Sequence, residues 1–104
     1  DARIHIWKFV KDNPDIKLFI DSRMGAEVMK IYSLNPIDLY ECRNYEASLY
    51  PSSEALQVRC TAKSIMYTVL SLASLLANLV KKYLTGEFLN KELTFDMKTV
   101  TLLE

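Results

Sequence analysis

The sequence predicts an α/β fold of α+β character, with a mixed sheet, one long buried helix and a terminal β-hairpin. Three observations carry that expectation. An amphipathic N-terminal stretch runs into a short β-rich segment, residues 61–84 are apolar at helical spacing, and two alternating segments close the chain. With 104 residues, half of them apolar and a quarter charged, there is room for one core, so residues 1–104 are read as a single segment.

Residues 2–11 carry Ile6, Phe9 and Val10 at helical spacing, with Ile4 and Trp7 beside them, and Pro14 ends the helix. Ile16 to Ile20 is β-rich and bounded by Pro14 and by Asp21-Ser22-Arg23-Met24-Gly25, the pattern of a buried strand emptying into a loop. A helix leading into such a strand suggests the second half of a βαβ crossover whose first strand lies upstream of Asp1. Residues 27–34 and 39–43 are expected as two strands across Asn35-Pro36, antiparallel because the connection is short. Residues 45–58 read as irregular, with at most a turn or two of helix from Pro51; a loop of that length tends to carry function.

From Thr61 to Leu84 the pattern is helical, with Lys81 and Lys82 in the last turn and Gly86 just past the end. Its near-uniform apolarity predicts burial on nearly all sides, and Ser71, Ala73, Ser74 and Ala77 would allow close packing against a sheet or a partner. Residues 92–96 and 99–103 then alternate as two terminal strands around Met97-Lys98.

Composition removes several function classes. The 13 Lys and Arg offset the 13 Asp and Glu, which leaves no basic footprint for nucleic acid. Cys42 and Cys60 are the only cysteines, too few for a disulfide framework, so a reducing, cytoplasmic setting is expected. Residues 65–80 are interrupted by Tyr67, Thr68, Ser71, Ser74 and Asn78 and fall short of the roughly 20 apolar residues of a membrane span, so no membrane partner is expected. Gly25 and Gly86 are the only glycines, so neither a Walker loop nor a dinucleotide fingerprint can be built from these residues.

Few residues are candidates for chemistry. Cys60 stands in Arg59-Cys60-Thr61-Ala62-Lys63, at the start of the long helix, where unpaired N–H groups and nearby cations favour a thiolate; a buried packing cysteine is the alternative. Cys42 reads as a packing residue within a strand. Asp21, Arg23 and Glu27 around Gly25 form a charged strand-end cluster, able to contact a ligand or to serve as a turn with a structural ion pair. His5 has no Ser or Cys partner nearby in sequence and reads as a surface or core-edge residue. Without a Cys-x-x-Cys pair, no zinc or other metal site is expected.

Taken in order, Asp1-Ala2-Arg3 ahead of a helix with Ile6-Trp7, the strand into Asp21-Ser22-Arg23-Met24-Gly25, Cys60-Thr61-Ala62-Lys63-Ser64-Ile65 and Phe95-Asp96 resemble the C-terminal half of ThiF/MoeB/HesA-type proteins. These belong to the ubiquitin-activating-enzyme-like superfamily. The resemblance covers essentially the whole chain and looks closest to bacterial ThiF-family proteins with a Cys-Thr-Ala motif. It implies the C-terminal portion of a Rossmann-like adenylation domain, with the nucleotide-binding half upstream. It further implies ATP- and Mg2+-dependent adenylation of the C-terminal carboxylate of a ubiquitin-like or sulfur-carrier protein, with transfer to a cysteine as thioester or persulfide in many members, and homodimers.

On that resemblance Arg3 matches the Arg that follows the family's magnesium-site Asp, Cys60 falls where the transfer cysteine lies, and residues 45–59 form the crossover segment. The glycine-rich loop, the ATP-contacting Arg and Lys and the paired zinc cysteines are not in this sequence, so adenylation is not expected of it alone. The alternative is a non-catalytic homodimerisation or protein-interaction module built on the long helix and terminal strands. A severed crossover should also leave Trp7, Phe9, Ile16 and Phe19 uncovered and the chain prone to self-association.

Overall fold

The computed structural model describes residues 2–11, 13–49 and 65–104. Its elements are α1 (Ala2–Val10), β1 (Phe19–Gly25), β2 (Val28–Leu34), α2 (Leu39–Leu49), α3 (Met66–Leu84), β3 (Glu92–Asp96) and β4 (Thr101–Leu103).

β1 and β2 form a hairpin through Ala26-Glu27, with Gly25 opposite Val28 and Phe19 opposite Leu34. β3 returns antiparallel to the other edge of β2, pairing Ile31 with Leu93, and β4 folds back on β3. The sheet runs β1-β2-β3-β4 and every pairing is antiparallel, which corrects the mixed sheet expected from the sequence. The tight connections after β1 and β3 permit only antiparallel partners, because a parallel pair needs a long crossover. The terminal hairpin is present as expected.

Two elements differ from the sequence expectation. β1 begins at Phe19 and runs through Asp21–Gly25, so the charged segment lies within a strand and not in a loop after it. Residues 13–18 are held outside the strand by local bonds: Asn13 Oδ1 accepts from the Asp15 N–H at 2.9 Å and Lys17 Nζ donates to the Pro14 carbonyl at 2.7 Å. Residues 39–43 form helix, not strand. Asp38 caps α2, its Oδ1 accepting from the N–H groups of Tyr40 at 2.9 Å and Glu41 at 3.1 Å, and Cys42, Tyr45 and Leu49 recur on its buried face. The irregular segment expected from residue 45 is therefore helical as far as Leu49, and its remainder lies outside the described residues.

Strand alternation sends side chains to two faces. Phe19, Tyr32 and Leu34 join Trp7 and Val10 of α1 and Cys42, Tyr45 and Leu49 of α2 in one core. Ile20, Ile31 and Leu93 face Leu72, Leu75, Leu76 and Leu79 of α3 in the other. Trp7 is 2% exposed, so the uncovered surface expected around it is absent; Ile16 and Phe19 are half-buried and Phe9 is open. α3 corrects a second expectation, since it is buried on the sheet side only and Ala73, Ser74 and Ala77 face outward. β1 forms one edge of the sheet, with no strand on its outer side among the described residues.

Candidate functional site

The period of two in β1 points Asp21 and Arg23 toward the layer of α1 and α2, where they meet Arg3 and Tyr45. Asp21 is 8% exposed, and a carboxylate so buried needs donors. Arg3 Nε donates to its Oδ1 at 2.9 Å, while Arg23 Nε at 3.1 Å and the Tyr45 hydroxyl at 2.8 Å share Oδ2. The Arg23 guanidinium extends to Ser48, donating to its carbonyl at 3.1 Å and its Oγ at 2.8 Å, and lies over the Tyr32 ring at 4.7 Å. Ser48 Oγ in turn donates to the Tyr45 carbonyl at 2.6 Å.

Burial and the adjacent Asp21 carboxylate push the Tyr45 phenol well above the usual tyrosine range, so it stays a donor at neutral pH. An edge-to-face aromatic cluster holds its ring, with Trp7 at 4.8 Å, Phe19 at 5.5 Å and Tyr32 at 5.6 Å between centroids. Beside this network an open hollow of about 300 Å³ lies between α1 and the start of β1, bordered by Arg3, Ile6, Ile20 and Asp21. With both oxygens of Asp21 engaged, its chemical role is to fix two guanidiniums and a phenol. It orients Arg3 at the rim of the hollow and does not act there as a free base.

The structure thus brings Arg3, Asp21 and Arg23 together. Glu27 does not join them; it sits in the β1–β2 turn and accepts from the Tyr67 hydroxyl at the start of α3, which raises the pKa of that phenol. Cys60, with Arg59 and Lys63, lies outside the described residues. Cys42 is buried at 2% exposure on α2, its Sγ donating to the Pro36 carbonyl at 3.1 Å, so it packs as expected though on a helix. His5 is exposed on α1. Among the described residues no group of three or more His, Cys, Asp or Glu could hold a metal ion, and no helix is long and apolar enough to cross a membrane.

Sequence reasoning missed Tyr45 and Ser48. The spacing of Cys42, Tyr45 and Leu49 after Asp38 was the available signal, because it marks a capped amphipathic helix whose inner face would carry Tyr45 toward the sheet. No family model, curated protein or solved structure matches this chain.

Proposed function

We propose that the chain is the C-terminal part of a cytoplasmic, ATP-dependent adenylyltransferase of the ThiF type, acting on the C-terminal carboxylate of a ubiquitin-like or sulfur-carrier protein. The observation that carries the proposal is the convergence of Arg3 with Asp21 and Arg23 beside the hollow at the outer edge of β1. The resemblance points to Arg3 and the charged strand-end pattern to Asp21 and Arg23, and the two readings meet in one network. They also meet where a further strand can dock, since the outer edge of β1 carries none among the described residues. A parallel strand there would complete the crossover of which α1 and β1 are the second half.

The described residues do not fit ATP and Mg2+ by themselves. They offer Arg3 and Arg23 but neither a glycine-rich phosphate cradle nor a cluster of carboxylates for the metal, so no adenylation step is assigned to them. Their contribution is one positioned guanidinium, a wall of the site and the sheet that supports it. Cys60 would be the acceptor thiol for the activated carboxylate.

Carrier-dependent ATP–pyrophosphate exchange by the polypeptide that includes the upstream sequence tests the proposal. Exchange that Arg3→Ala lowers at least tenfold, measured well below the melting temperature of the variant, is expected. A polypeptide lacking any glycine-rich loop upstream, or one with no exchange, would sink it. The non-catalytic alternative is separated by alkylation of Cys60, since an acceptor thiol reacts near neutral pH in the folded protein and a packing cysteine reacts only on unfolding.

A further inference from the structure

We draw no further inference here: the strongest candidate, the hollow of about 90 Å³ between α2 and the start of β3, has Tyr40, Asn44 and Lys91 open to solvent at its rim and both Glu41 oxygens already engaged by the Asn35 N–H and the Lys91 ammonium, and nothing in the structure shows what covers it.

Discussion

Glu46 on α2 accepts two hydrogen bonds on one oxygen, from the Trp7 indole N–H at 2.8 Å and from the Lys11 ammonium at 2.7 Å, and so ties α1 to α2 over the aromatic core. The Lys11 ammonium first, and the Trp7 indole second, hold its carboxyl below the usual glutamate range. A carboxyl with a lowered folded pKa adds stability above its unfolded pKa and loses it as pH falls through the folded value. Glu46→Gln should therefore cost about 1 kcal/mol at pH 7, after allowance for solvent screening at this part-exposed pair. The gap between the two proteins should begin to narrow as pH falls below about 4, the ordinary glutamate range, and go on narrowing in stronger acid. Urea unfolding at pH 7 and pH 3 checks this, and a gap that persists in acid would assign the loss to geometry and not to charge. At this scale the sequence exposed the charged residues of the site but not what they do. Asp21 and Arg23 stand out as a charged strand-end cluster, and Arg3 only through the resemblance, while the saturation of Asp21 and Arg23 by Tyr45 and Ser48 comes from residues more than twenty positions away, invisible to local pattern.

Backbone geometry at two turns makes the same left-handed demand of two different residues, a glycine and a valine. Gly86 follows α3 at φ 75°, and the N–H groups of Gly86 and Glu87 return to the carbonyls of Tyr83 at 3.2 Å and Lys82 at 2.9 Å, the double bond pattern of a left-handed helix stop. A methyl group there would meet nothing within 4 Å, so Gly86→Ala should lose about 1 kcal/mol through backbone strain alone. Val100, between β3 and β4, sits at φ 55°, where a β-branched side chain is disfavoured. Val100→Asn should gain up to about 1 kcal/mol by relieving it. Thermal unfolding should show opposite shifts of about 5 °C for the two variants, and shifts of the same sign would refute the assignment. The stop of α3 was legible because Lys81, Lys82 and Gly86 are local signals. The extent of β1 was not, because Asp21, Ser22 and Arg23 look like loop residues until the partners that satisfy them are in place.

Across the whole molecule, β2 is the shared element. It is bonded to β1 on one side and β3 on the other, and its alternating side chains enter both cores, Tyr32 and Leu34 under α1 and α2, Ile31 under α3. The sequence made the alternation of residues 27–34 and of the terminal hairpin legible, but not that the hairpin returns to β2, since strand order depends on contacts across more than sixty positions. Local opening is easiest where backbone bonds are exposed and few apolar groups are buried. Amide exchange should therefore be slowest in β2 and fastest in β4, whose residues Thr101–Leu103 are all exposed at the edge of the sheet. Exchange as slow in β4 as in β2 would refute this ordering, because it would mean that the exposed edge opens only when the whole sheet does.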